Sequence, residues 1–474
     1  MDQNKIPLYE ALLAHSEVNS NSFHVPGHKN GAVFSKYGKE LYCKLLEIDV
    51  TELRGLDDLH YPTGVIKEAQ EIAAHLYGSL ECFFLIGGST VGNLAMIMAT
   101  CQEGDTVLVQ RNCHKSILNG LRLAKVDPIF LQPNFDREAQ IATCLDETLV
   151  LAAIKKYPTA KALIITNPNY YGYTSNLQNI ITKAHQYDIT VLVDEAHGAH
   201  FGHPSTLLPK SAIIEGADIV VQSAHKTLPA MTMGSYLHCN GKLVDVKKLT
   251  YYLQLFQSSS PSYPIMASLD LARHFLATIS EKEIENTVEA ITAFKTYINK
   301  IPQLKTVRSE HYQIDPLKVT VQSQCKLTGF QLQELFEEEG IYTELADSCN
   351  VLFVMPLVIT TNLIFIAEKI KRKLSEFEII PRYNKLDASF TNKVTRLAMT
   401  YPEMNVAEVQ LIPLKNSVGR IIAEEIIPYP PGVPILISGE KVEKIHVEYI
   451  NNLKASGAYF QGVDILETGV KVFT

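Results

Sequence analysis

Through roughly the first 270 residues, short apolar runs alternate with amphipathic stretches. Residues 83–86, 106–109, 128–131, 162–165, 190–193 and 218–221 are rich in Val, Ile, Leu and Phe. They predict strands buried on both faces. The stretches 92–100, 115–124 and 177–187 carry apolar positions at helical spacing. This rhythm predicts an α/β fold, with a mostly parallel central sheet and helices on both faces. Ligands of such sheets sit beyond the carboxyl ends of the strands, which directs attention to residues 87–93, 110–114, 166–172, 194–200 and 222–227. After about residue 270 the pattern changes to a polar helical stretch, a strand at 319–322, a helix at 329–340, a strand at 351–354 and a helix at 362–374. These predict a smaller α/β domain. The polar segment 379–405, with Pro381 and Pro402, reads as a linker. The prolines of 428–434 forbid central-strand pairing, and a strand at 435–437 with a turn at Ser438-Gly439 belongs to a third small unit. The expected division is an N-terminal arm at 1–65, a large ligand-binding domain at 66–275, a small α/β domain at 276–380, a linker at 381–405 and a C-terminal domain at 406–474.

Composition narrows the class. The 474 residues are 46% apolar and 20% charged, enough for a packed core and unlike a disordered chain. Net charge is −8, with both signs scattered, so no basic footprint for nucleic acid or anionic membrane is expected. Residues 1–21 are polar and interrupted by Pro7, unlike a signal peptide, and the strongest later apolar run, 351–359, contains Pro356 and is too short to span a bilayer. The eight cysteines are dispersed, with no CxxC pair, as buried reduced thiols would be. A cytoplasmic protein is expected.

Three segments carry candidate chemistry. Gly87-Gly88-Ser89-Thr90-Val91-Gly92-Asn93 follows a predicted strand and opens a helix. Glycines, adjacent hydroxyls and a helix N-terminus suit a phosphate, although an ordinary glycine turn with a Ser/Thr cap has the same residues. Asp194-Glu195-Ala196-His197 ends the most apolar strand, which delivers an acid to the ligand edge. A helicase-type site would need a P-loop, and Gly38-Lys39 and Gly241-Lys242 are followed by Glu40 and Leu243 instead of Ser or Thr. A metal site on His197, His200 and His203 lacks an HExxH pattern, and no metal is expected. Facing a protonated ring nitrogen is the third possibility for Asp194. Gln222-Ser223-Ala224-His225-Lys226-Thr227 follows another strand, and a desolvated lysine there could be nucleophilic, or merely a snorkelling surface residue. Phosphate cup, acid and lysine in this order are what pyridoxal phosphate (PLP) requires of a protein.

Further motifs accompany them: Phe23-His24-Val25-Pro26-Gly27-His28-Lys29, Asp49-Val50-Thr51-Glu52, Gly55-Leu56-Asp57-Asp58-Leu59-His60, Arg111-Asn112-Cys113-His114-Lys115-Ser116, Asn167-Pro168-Asn169-Tyr170-Tyr171-Gly172 and Tyr429-Pro430-Pro431-Gly432-Val433-Pro434. Together the set resembles the Orn/Lys/Arg decarboxylase family, PLP enzymes of aspartate aminotransferase-like fold, over nearly the whole chain. It is similar to shorter bacterial members without the N-terminal wing domain. Position 87 is Gly where the family often has Asn, and Ser438 stands for a common proline.

The resemblance implies Lys226 as the Schiff-base lysine and Asp194 as the acid at the pyridinium nitrogen. It implies His114 stacked on the ring, and Ser89, Thr90, Ser223 and His225 around the phosphate. Ala196 and His197 would lie beside the ring. The residues 258–263 are similar to a family segment near the dimer interface, so a homodimer with active sites at the interface is expected. The implied reaction is decarboxylation of arginine, lysine or ornithine to a polyamine-type amine and CO₂, with His225 or Lys226 returning the proton. Asp57, Asp58, Glu344, Asp347 and Glu440 could meet a cationic substrate side chain, and each reads equally as a surface or salt-bridge acid. Transamination or an idle PLP-binding protein are the alternatives on the same fold.

Overall fold

The computed structural model describes residues 1–18, 21–380, 393–429, 432–455, 457–461 and 468–474. The described chain forms two compact units, each discontinuous in sequence: residues 1–100 with 190–281, and residues 101–189 with 282–474. The expected large domain, 66–275, therefore contributes to both, because proximity in sequence does not decide which later segments a strand packs with.

In the first unit the strand order is Glu81–Leu85, Ser235–Cys239, Ile219–Gln222, Thr190–Asp194. Three of these strands share one direction and Ser235–Cys239 runs against them. Every residue of Thr190–Asp194 and Ile219–Gln222 is buried, as their unbroken apolar runs require. The helix Gly88–Thr100 lies directly on these strands. A Cβ on Gly92 would meet Leu85 Cδ1 and Val221 Cγ1 at 2.8 Å each, so glycine there sets how closely the helix approaches.

Ser235–Cys239 escaped the apolar pattern because it carries Ser235 and His238, yet all five of its residues are buried. His238 Nε2 lies 3.1 Å from Gln222 Oε1 on the adjacent strand, and its ring lies 4.3 Å from that of Tyr77. Burial holds the His238 imidazole down, from 6.5 to about 3.

In the second unit Ala162–Thr166, Thr106–Gln110 and Asp127–Leu131 are parallel neighbours, with Val394–Arg396 antiparallel at their edge. A separate antiparallel sheet contains Leu304–Thr306, Lys318–Ser323, Asn350–Val354 and Leu345–Ala346, covered by the helix Gly329–Glu338. Val409–Ile412, Val470–Phe473 and Ile421–Ile422 form a third, small sheet.

Two sequence expectations are corrected here. Residues 381–392 of the expected linker lie outside the described residues, and the remainder is structured: Val394–Arg396 is a strand and Tyr401–Val406 a helix. Pro402 lies in the first helical turn, where no N–H is required, and Thr400 with Glu403 closes a capping box. The expected strand at 435–437 is only a bridge between Leu436 and Ile426. Pro428–Tyr429 pairs with Tyr459–Phe460, while Pro430 and Pro431 lie outside the described residues. None of the eight cysteines is in a disulfide, and all but Cys43 are buried. No helix among the described residues is long and apolar enough to cross a membrane.

His238 generates a pH prediction. Below pH 6.5 the unfolded chain takes up a proton that the folded chain refuses until about pH 3, so stability falls as pH drops through this window. The loss approaches about 1.4 kcal/mol per pH unit from this group alone. Urea unfolding between pH 7 and pH 5 is expected to show a shallower loss in His238→Gln than in the parent chain. Equal slopes would remove His238 from the acid response.

Candidate active site

The first unit gathers most of the singled-out residues at the carboxyl ends of its strands. Gly88 adopts φ +75° and opens the helix that bears Ser89 and Thr90. Ser89 Oγ meets Ser223 Oγ at 2.7 Å, so a hydroxyl from the helix start and one from the turn after Ile219–Gln222 converge. Thr90 is exposed, on the same turn of helix. A Cβ on Gly88 would have nothing within 4 Å, so the start of this helix borders open space.

Asp194 ends its strand at 2% exposure. One carboxylate oxygen accepts a hydrogen bond from Asn93 Nδ2 at 3.0 Å, and the other accepts the Ala196 N–H at 3.2 Å. These two donors compensate the burial of the Asp194 carboxyl group. Asn93, itself 1% exposed, was absent from the expected site residues. The available signal was helical spacing: Asn93 lies four positions after Ser89 and so on the same face.

The next residue, Glu195, points the other way. It accepts from Ser211 Oγ at 2.7 Å, the Ala212 N–H at 2.7 Å and Gln222 Nε2 at 2.6 Å. Burial pushes this carboxyl up to about 8, against the pull of those three donors. Gln222 links it onward to His238. Two adjacent acids thus have different tasks: Glu195 ties down the loop beneath the site and Asp194 remains at its edge.

Lys226 lies in the short helix Ala224–Thr227, half-buried, with its Nζ 3.1 Å from Nε2 of His197, which is 5% exposed. Ala196 holds this turn through its carbonyl, which accepts the Ser223 N–H at 3.2 Å. His225 Nδ1 lies 3.0 Å from the Gly234 carbonyl. Burial, and secondarily the charge of Lys226, lower the His225 imidazole below its ordinary range, with the Gly234 bond acting in the opposite sense.

The other two histidines weighed for a metal site, His200 and His203, are packed inside the unit. His200 is fully buried with its ring 4.6 Å from that of Phe201, and His203 lies 3.1 Å from the Ile279 carbonyl while accepting the Ser205 N–H. Among the described residues no group of three His, Cys, Asp or Glu side chains could hold a metal ion.

His114 belongs to the second unit. It caps the helix Lys115–Ala124, accepting the Ser116 N–H, and its ring is exposed. Four of the acids considered for a cationic substrate are engaged locally. Asp57 accepts N–H groups of Thr63, Gly64, Ile66 and Lys67; burial raises it, but backbone hydrogen bonds win and hold it below the usual carboxylate range. Asp58 accepts the His60 N–H, and Asp347 accepts from Tyr171 Oη at 2.6 Å and from Cys349 and Asn350. Glu440 takes a bidentate contact from Arg111, at 3.0 and 2.7 Å, whose remaining donors reach the carbonyls of Pro434 and Ile435.

Paired hydroxyls at a helix start, a buried carboxyl group bonded to two donors, and an amine beside an imidazole match the donor set for PLP's phosphate, ring nitrogen and aldehyde. Comparison with known proteins agrees. The chain matches the family models for the Orn/Lys/Arg decarboxylase major domain over residues 6–309 and C-terminal domain over residues 383–472. It is 46% identical to an uncharacterized protein, YaaO, of Bacillus subtilis, over 96% of both chains. It is 35% identical to an arginine decarboxylase of Bacillus anthracis, covering 98% of this chain and 96% of that one. The solved Escherichia coli constitutive lysine decarboxylase superposes with a TM-score of 0.83 at 21% identity, over 100% of this chain and 82% of that one. A ureidoglycine-glyoxylate aminotransferase from Bacillus subtilis shares the fold at lower similarity, with a TM-score of 0.55 at 13% identity over 68% and 87%. The chain belongs to the Orn/Lys/Arg decarboxylase family, and is an amino-acid decarboxylase of aspartate aminotransferase-like α/β fold.

Proposed function

We propose that this protein removes the α-carboxylate of a basic amino acid as CO₂, with PLP as cofactor and arginine as the favoured substrate. The observation that carries the reading is the convergence of Ser89 with Ser223, Asn93 with Asp194, and His197 with Lys226 at one strand edge. Arginine is favoured by likeness: relatives named arginine decarboxylase share 34–35% identity over almost the whole chain, against 22–23% for those named lysine decarboxylase.

PLP bound here would supply an aldehyde for an amine and a pyridinium ring that accepts the electron pair left by departing CO₂. Ser89, Thr90, Ser223 and His225 would hold its phosphate, and Lys226 its aldehyde. Asp194 would hold the proton on the ring nitrogen, and Asn93 and the Ala196 N–H would hold its carboxyl group in place. Ala196 and His197 would lie beside the ring. Burial leaves His225 neutral at pH 7, without a spare proton, so the freed amine of Lys226 is the better donor to Cα. A homodimer, with the 258–263 segment near the neighbour's site, and a cytoplasmic role in polyamine synthesis complete the proposal.

Mass spectrometry of products from an equimolar mixture of arginine, lysine and ornithine tests the reaction. Agmatine is expected as the main product. Cadaverine or putrescine in excess would reassign the substrate, a keto acid would indicate transamination, and no product would remove the decarboxylase reading for these three. Asn93→Ala deletes one hydrogen bond to a charged acceptor and is expected to weaken PLP binding roughly ten- to hundredfold. Fluorescence titration of PLP-stripped protein measures it; unchanged affinity would show that Asp194 needs no support from the helix.

A further inference from the structure

We infer that His197 is the proton acceptor for Lys226: Nε2 takes the proton that Nζ must shed before this amine can bond to a carbonyl carbon. The inference rests on the proposed function, since it concerns how Lys226 engages its cofactor.

A lysine ammonium has no lone pair and ordinarily gives up its proton only well above neutral pH. Enzymes that use lysine as a nucleophile must therefore give that proton a destination. Here the buried imidazole of His197 stands 3.1 Å from Nζ of the half-buried Lys226. A hydrogen bond from Nζ needs a lone pair at Nε2, which puts the proton of the neutral ring on Nδ1. Nε2 is then in the state that accepts a proton, at hydrogen-bond distance from the group that must lose one.

Other titratable groups pack around this helix, and several have hydrogen-bond partners of their own. On the same helix His225 faces the Gly234 carbonyl. Against it pack the turn Ala199–Gly202, where His200 lies on Phe201, and the strand Ser235–Cys239, where His238 faces Gln222, Tyr236 donates to the Leu269 carbonyl and Cys239 is buried. Asp194 is held by Asn93, and Glu195 by Ser211, Ala212 and Gln222.

The step balances without an added reagent. Nε2 takes one proton from the ammonium, and the freed lone pair forms the new C–N bond. The imidazolium then returns the proton to the carbonyl oxygen, which takes a second from nitrogen and leaves as water. The third Nζ proton stays on nitrogen.

The test is the rate at which the full-length chain, stripped of PLP, takes up added PLP, followed by absorbance across pH 6 to 10. His197→Ala is expected to load at least about tenfold more slowly at pH 7. The gap should close towards pH 10, where solvent deprotonates the amine, and free imidazole should restore part of the rate at pH 7. His197→Gln fills the space without a basic nitrogen, and should show the same pH-dependent gap with no response to imidazole. Loading at the parental rate in both variants would overturn the inference. So would slow loading that is the same at every pH and insensitive to imidazole, because that marks a packing role. If the parent chain itself takes up no PLP, the proposed function fails instead.

Discussion

A carboxylate held at the end of a fully buried strand is the constraint on which the first unit depends. Asp194 is out of water, and a charge so placed persists only with donors around it. One donor comes from its own loop, through the Ala196 N–H, and the other from a different element, through Asn93. For Asn93 to arrive, the helix Gly88–Thr100 must lie against the strands, and Gly92 removes the Cβ that would hold it off. The same approach brings Ser89 to Ser223. The hydroxyl pair and the acid are thus not independent features, since one helix placement creates both.

Below this edge, polar groups are arranged for rigidity. Glu195, Gln222 and His238 form a buried chain between three successive neighbours of the sheet, in which each member bonds to the next. Such a network is costly to leave half-satisfied and so tends to fix a single arrangement of the loop it supports. That loop carries Asp194, Ala196 and His197, and its stiffness bears on how accurately the imidazole meets Lys226. In the second unit, Arg111 and Glu440 play a comparable part: their fork-to-fork contact and two carbonyls join the segment before His114 to the residues at 434–440. Asp57, Asp58, Asp347 and Glu440 are each bonded locally, so a cationic side chain meeting any of them would share the carboxyl group with an existing partner.

Much of this was legible in the sequence, for physical reasons. Strands buried on both faces leave unbroken apolar runs, and Thr190–Asp194 and Ile219–Gln222 lie within a residue of where those runs predict them. Glycine, hydroxyl, acid and lysine stand out because each is awkward at the end of such a run. What stayed hidden depended on partners distant in the chain. Ser235–Cys239 looks too polar for a central strand until Gln222 is found beside His238. Asn93 reads as an ordinary helix residue until Asp194 arrives from far along the chain. Pro402 reads as a breaker, although the first turn of Tyr401–Val406 has no need of its missing N–H. The division into two discontinuous units likewise follows from packing that no local pattern encodes.

The central claim is that Lys226 is the amine to which the cofactor attaches. Borohydride reduction of the PLP-loaded chain, followed by digestion and peptide mass mapping, tests it most directly. The account predicts a single phosphopyridoxyl label, on the peptide containing Lys226, and its loss in Lys226→Ala. A label on another lysine, or equal labelling of the variant, would contradict it.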